Sequence, residues 1–190
     1  MTELRLIRVT ESSLIAELRK NTITVNIGSY IISKNPARLA TWALGSCIAI
    51  VLFDPLISAG SLAHALLPQP HHEVDSPGKY VTTAIHTMVR GLQSIGASIR
   101  RLRAVLVGGA NILDFARNIS VSTRNIQVAR EVLTLKYGIP IIDEDVGGNV
   151  GRNVVFEIGK GIVYVWYTAR SLFGNKTNIS HGGNKFWSVG

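Results

Sequence analysis

Ile48-Ala49-Ile50-Val51-Leu52-Phe53-Asp54-Pro55-Leu56-Ile57-Ser58-Ala59-Gly60-Ser61-Leu62-Ala63-His64-Ala65 reads as two apolar runs joined by a turn. Aspartate favours the first turn position, and proline presets φ at the second. Runs on both sides of such a turn predict an antiparallel hairpin. Both runs are apolar on successive positions, so both strands are expected to be central and covered on two faces.

The single cysteine of the chain stands at the entrance to the first run, in Leu44-Gly45-Ser46-Cys47. A lone cysteine makes no internal disulfide. It is a small apolar filler, a thiol for another chain, or a nucleophile. The small-residue turn before the strand favours the last reading, because backbone N–H groups are often free there and can hold an anion formed on a substrate. A hairpin pivoting between Pro55 and Leu56 sets Cys47 opposite His64, with β-carbons about 4.5–5.5 Å apart. A slip of two residues leaves both on one face. An imidazole beside a thiol can take its proton and raise its thiolate fraction, and the sulfur then attacks an acyl carbon. The chemistry indicated is acyl transfer, which leaves protease, transglutaminase and amidase open.

The rest of the chain alternates strand and helix patterns. A short helix is expected near residues 13–18, and β-structure around Gly28. Ser76-Pro77 starts a helix in which Val81, Ala84, Ile85, Met88, Val89 and Leu92 recur at helical spacing. A strand over 102–107 runs into Gly108-Gly109. A second helix spans about 121–137, a strand follows at 139–142, and 154–158 pairs with 162–167 as a hairpin. Between them Gly147, Gly148 and Gly151 form a loop that lacks the lysine of a phosphate-binding loop and leads into a strand. His71, His72, Glu73 and Asp75 occupy a polar loop whose spacing matches no standard zinc motif, so no metal is expected.

At 190 residues with 46% hydrophobic and 17% charged content, one globular domain is the expectation. No apolar run reaches the roughly 20 residues of a membrane span, so no membrane insertion is expected. With one cysteine and no export signal at the N-terminus, the cytoplasm is the expected compartment. The formal charge of +8 is scattered, apart from Arg100, Arg101 and Arg103. Nucleic acid would want a longer basic stripe interleaved with aromatics, and acidic protein partners fit better.

Three stretches together resemble the CheD family: Ala40-Thr41-Trp42-Ala43-Leu44-Gly45-Ser46-Cys47-Ile48-Ala49, Phe53-Asp54-Pro55, and Ala63-His64-Ala65-Leu66-Leu67-Pro68. Lys79-Tyr80-Val81, Val107-Gly108-Gly109-Ala110, Arg124-Asn125 and Asp145-Val146-Gly147-Gly148-Asn149-Val150-Gly151-Arg152 extend the resemblance over about residues 24–167. It implies an α/β fold, a single-domain layered sandwich of mixed β-sheet and helices, similar to the cytotoxic necrotizing factor deamidases. Residues 1–22 are then an N-terminal extension, 23–170 the deamidase domain, and 171–190 a mobile C-terminal tail.

The activity implied is hydrolysis of selected chemoreceptor glutamines to glutamate with release of ammonia, without a cofactor. Cys47 would be the nucleophile, His64 the base, and Thr41 the residue orienting the imidazole. Ser46, Trp42, Gly148 and Arg152 are expected as substrate-binding residues, although Trp42 could instead fill core on the far face of its strand. The cytoplasmic region of a methyl-accepting chemoreceptor is the implied partner, and some members also bind CheC, a response-regulator phosphatase. The alternative is a binding module, catalytic or not, that regulates a CheC-type phosphatase or the receptor array.

Overall fold

The computed structural model describes residues 2–70, 76–112 and 120–168. Ten strands form two five-stranded sheets packed face to face. One sheet holds β1 (Arg5–Arg8), β10 (Ile162–Tyr167), β9 (Arg152–Glu157), β4 (Arg38–Leu44) and β2 (Ile23–Thr24), in that order. The other holds β3 (Tyr30–Lys34), β6 (Ala59–Ala65), β5 (Ile48–Asp54), β7 (Arg103–Gly108) and β8 (Ile141–Val146). Helix α1 (Ser12–Leu18) lies on the outer face of the first sheet. Helices α2 (Val81–Ser94) and α3 (Val121–Glu131) cover the outer face of the second.

Alternation along the strands builds these layers. Ala49, Val51 and Phe53 of β5 face the gap between the sheets with Leu62, Val105, Val107, Val154 and Phe156. Ile48, Ile50 and Leu52 face the other way, onto Ile85, Met88 and Leu92 of α2. The expected central strands, β5 and β6, are buried at every position. Towards the turn end of β5, Phe53 and Phe156 meet edge to face across the gap, with centroids 5.8 Å apart and ring planes at 87°, a favoured arrangement for aromatic pairs. Gly60 makes room for this contact, since a β-carbon there would sit 2.5 Å from the Phe156 ring.

Within the segment expected as an N-terminal extension, β1 pairs in parallel with β10, and Leu4, Val9 and Leu18 are buried. The β-structure expected around Gly28 is divided between the sheets, β2 pairing with β4 and β3 with β6. Two expectations need correction. The helix expected at Ser76-Pro77 begins only at Val81, after a 3-10 turn over Pro77–Lys79. There the Lys79 carbonyl accepts both the Leu66 and Leu67 N–H groups, which holds the chain extended beside the end of β6. The strand expected at 139–142 runs from Ile141 to Val146, parallel to β7. The proposed tail, 171–190, and the polar loop carrying His71, His72, Glu73 and Asp75 lie outside the described residues. Among the described residues no helix is long and apolar enough to cross a membrane.

Trp42 sits on the outer face of its sheet. Its ring meets Trp166 at 5.9 Å, the Arg19 guanidinium lies 5.7 Å from the ring centre, and its Nε1 donates to Thr24 Oγ1 at 3.3 Å. Neighbouring Thr41 points into the gap, so strand alternation alone puts the indole on the side away from Cys47. Of the two roles expected for Trp42, this placement favours packing. Trp42→Leu is expected to cost about 1–3 kcal/mol of stability through lost packing, with the activity per folded molecule unchanged. Thermal melting and kinetics on the same variant check this; an unchanged melting temperature with altered substrate selectivity would refute it.

Candidate active site

Strand β4 carries an irregularity that shapes the site. Thr41 pairs with Val154, but Leu44 pairs with Arg152, so one extra residue bulges between them. Ala43 takes up the bulge at φ +52°, unusual for a residue with a side chain, and its N–H is held by Asn153 Oδ1 at 3.0 Å. Bulges bend a strand and re-aim its side chains. Here both Thr41 and Leu44 face the gap although they are three residues apart, and the chain then crosses through Gly45, Ser46 and Cys47 into β5 of the opposite sheet.

The β5–β6 register pairs Ala49 with His64 and Asp54 with Ala59. The turn is thus two residues longer than expected and pivots between Leu56 and Ile57. Its geometry comes from Ser58, at φ +46°, and from the buried Asp54 carboxylate, which accepts from the Leu56 and Ser98 N–H groups and from Arg101. Cys47 is consequently diagonal to His64 rather than opposite it. Both still face the gap, because two residues is one full strand period.

Across the gap, Thr41 Oγ1 and His64 Nδ1 are 2.6 Å apart and buried. His64 is 2% exposed, and its Nε2 is buried with no hydrogen-bond partner among the described residues. The tautomer in which Nδ1–H donates to Thr41 leaves Nε2 a free lone pair. Burial lowers the His64 pKa to about 4 and raises that of the Cys47 thiol, while the cysteine's own N–H partly offsets the latter. The resting pair is therefore a neutral thiol and a neutral imidazole. These shifts favour a neutral pair over the raised thiolate fraction expected from sequence, since burial penalises both charges.

The Cys47 turn is laced to its surroundings by carbonyls. Gly45 C=O accepts from Ala110 N–H at 2.7 Å, Ser46 C=O from Asn125 Nδ2 at 3.1 Å, and Cys47 C=O from Gly109 N–H at 2.7 Å. Gly108, at φ +110°, allows the close approach: a β-carbon there would lie 2.6 Å from Cys47 O. Exposed Ile112 leans over Gly45 and forms a rim.

The other expected residues are spread around this turn. Ser46 is exposed at its crest. Gly148, at φ +69°, accepts the Asn111 N–H through its carbonyl at 2.7 Å. Arg152 points inward: Nε donates to buried Asp145 at 2.8 Å, and Nη1 to the carbonyls of Gly147 and Val150. Those bonds hold the glycine-rich loop. Asn125, 0% exposed, was quoted only as part of a motif; its signal is a polar residue within the apolar stripe Ile126, Ala129, Leu133. A cavity of about 300 Å³ lined by Arg19, Trp42 and Asn153 includes neither Cys47 nor His64 in its walls. Among the described residues no three His, Cys, Asp or Glu side chains gather to hold a metal.

The family model for CheD chemotactic sensory transduction matches residues 66–166. A Thermotoga maritima protein named chemoreceptor glutamine deamidase CheD is 37% identical over 141 residues, covering 74% of this chain and 88% of that one. The chain belongs to the CheD family. Probable CheD deamidases of Thermococcus kodakarensis and Geobacter metallireducens are 37% and 38% identical, covering 74% and 75% of this chain and 89% and 91% of theirs. Among solved structures, a hypothetical protein YfiH of Bacillus licheniformis superposes at a TM-score of 0.42 with 16% identity, over 76% of this chain and 60% of that one, a likeness too distant to carry an argument. The CheD family model begins two residues after His64, so it spans Asn125 and the glycine-rich loop, and the Thr41–Cys47–His64 geometry stands beside it as a separate observation.

The buried imidazole makes stability depend on pH. Its folded-state pKa lies below the ordinary 6.5, so acid protonates the unfolded chain first. The contribution of His64 is fully present above pH 6.5 and is lost as pH falls towards 4. Between those values wild type should lose about 2–3 kcal/mol more stability than His64→Gln. Denaturant unfolding across the window checks this; parallel pH curves for the two proteins would contradict a buried neutral imidazole.

Proposed function

We propose that this chain is a protein-glutamine deamidase acting on chemoreceptors, with Cys47 as nucleophile, His64 as general base and Thr41 as the group that orients the imidazole. The observation carrying the mechanism is the buried 2.6 Å Thr41–His64 hydrogen bond with Nε2 left open on the face it shares with Cys47. Membership of the CheD family and relatives named as glutamine deamidases support the substrate.

The steps follow from neutral partners. His64 Nε2 takes the Cys47 proton as Sγ attacks the side-chain carbonyl carbon of the glutamine. The carbonyl π electrons move to oxygen, and the oxyanion is met by the free backbone N–H groups of the Cys47 turn. The imidazolium returns its proton to the amide nitrogen, the C–N bond breaks, and ammonia leaves a thioester on Cys47. Water then attacks the thioester carbon while Nε2 takes its proton. The C–S bond breaks, the sulfur regains the proton, and glutamate is released. Thr41 holds the ring in the tautomer that both half-reactions need. No cofactor enters any step. A CheC-type phosphatase is a further proposed partner, carried by the family alone.

Mass spectrometry of a receptor cytoplasmic fragment tests this reading. Wild type should convert specific glutamines to glutamate. Cys47→Ala and His64→Ala should each lose at least about 1,000-fold, because groups acting as a unit fail together. Thr41→Ala should lose less, about 10- to 100-fold, as part of the general-base contribution. Binding of the fragment with no change of mass would favour a regulatory module. Conversion that survives Cys47→Ala would overturn the mechanism.

A further inference from the structure

We propose that Asn125 is a positioning residue that sets the direction of the Cys47 N–H, and so builds the oxyanion-binding half of the site from the helix side. The inference rests on the Cys47 acyl-transfer reading above. Asn125 lies on α3 and is wholly buried. Its Nδ2 donates at 3.1 Å to the Ser46 carbonyl and at 3.0 Å to the Leu66 carbonyl. Both neighbours are acceptors, so the amide end that meets them must be the NH2 group, whichever way such a side chain is placed. One side chain thereby ties the turn before the nucleophile to the residue two positions after His64.

Peptide planarity gives this clamp a chemical consequence. The Ser46 carbonyl and the Cys47 N–H belong to one trans peptide unit and point in opposite directions. Holding the carbonyl towards α3 aims the N–H away from the helix. The Gly45 carbonyl, held by Ala110 N–H, does the same for the Ser46 N–H. Among the described residues neither N–H donates a hydrogen bond to another residue. Two adjacent donors, each with its peptide plane fixed from behind, are the arrangement an oxyanion requires.

The remaining atom of the side chain shows what the residue is for. Asn125 Oδ1 is buried and has no partner among the described residues. An apolar residue at this position would continue the stripe of Ile126 and Ala129 without this orphan, but would take the donor away from the Ser46 and Leu66 carbonyls. The helix therefore carries a cost in stability in exchange for two hydrogen bonds that serve the nucleophile turn and the strand carrying the base.

The experiment separates positioning from folding by using two reactions of one sulfur. Acylation of Cys47 by p-nitrophenyl acetate develops an oxyanion, whereas alkylation by iodoacetamide does not. For Asn125→Ala we expect acylation slowed about 10- to 100-fold, alkylation within about two-fold of wild type, and receptor deamidation reduced in kcat with KM little changed. Asn125→Ser, which keeps one donor, should lie between. It serves in place of the alanine variant if that variant does not fold, with slowed acylation and near-normal alkylation as its expected result. Unchanged acylation would overturn the proposal, as would a parallel fall of acylation and alkylation with folded fraction. Because the ester needs no receptor, a wild type that acylates but converts no receptor glutamine would count against the deamidase reading, and the acylation ratio would still decide the role of Asn125.

Discussion

Thr41 and His64 sit on different sheets, and their 2.6 Å hydrogen bond exists only because the two sheets face each other in one register. That register is held by packing. Phe53 of one sheet meets Phe156 of the other, Gly60 leaves space for the ring, and Leu39, Leu44 and Leu62 fill the gap around them. The bulge at Ala43 then lets β4 present Thr41 to the histidine and still deliver the chain, three residues after Leu44, to Cys47 in the opposite sheet. The left-handed backbone at Ala43 is a local cost of the kind that persists where surrounding structure over-determines it.

Dryness of the gap decides the protonation states. A buried thiolate–imidazolium pair would need each charge to be desolvated, and among the described residues no third charged side chain is hydrogen-bonded to His64 to offset that. The neutral pair is cheaper, so in the proposed mechanism charge is created at the moment of attack instead of being stored beforehand. Such a mechanism depends strongly on preoriented dipoles. The Ser46 and Cys47 N–H groups are the proposed donors, each set from behind by a bond to its peptide carbonyl.

Much of this was legible in the chain, and the gaps have physical causes. The central hairpin followed from two unbroken apolar runs and Asp-Pro, and shared facing of Cys47 and His64 survived the register error because strand period is two. Ser58-Ala59-Gly60 left the turn length open in sequence, and Ser58 at a positive φ is what lengthens it. Thr41 came only from resemblance, since a contact between sheets leaves no periodic trace in sequence. Trp42 was read either as a substrate-binding residue or as core on the far face of its strand, and alternation from Thr41 puts it on that far face. The N-terminal strand was missed because four residues with one polar edge carry little pattern; its place comes from pairing with β10. Arg152 looked available because a glycine-rich loop precedes it, whereas its guanidinium is committed to Asp145 and to the loop's own carbonyls. Asn125 was readable as a polar interruption of a helix stripe, but its two acceptors lie 79 and 59 residues away in sequence.

Nitrogen-15 NMR of the His64 ring in the free protein at pH 6.5, the ordinary midpoint for this side chain, measures the central feature directly. The expected result is a neutral imidazole with its proton on Nδ1 towards Thr41 and an unprotonated Nε2. A doubly protonated ring, or a neutral ring carrying its proton on Nε2, would contradict a buried base poised by Thr41.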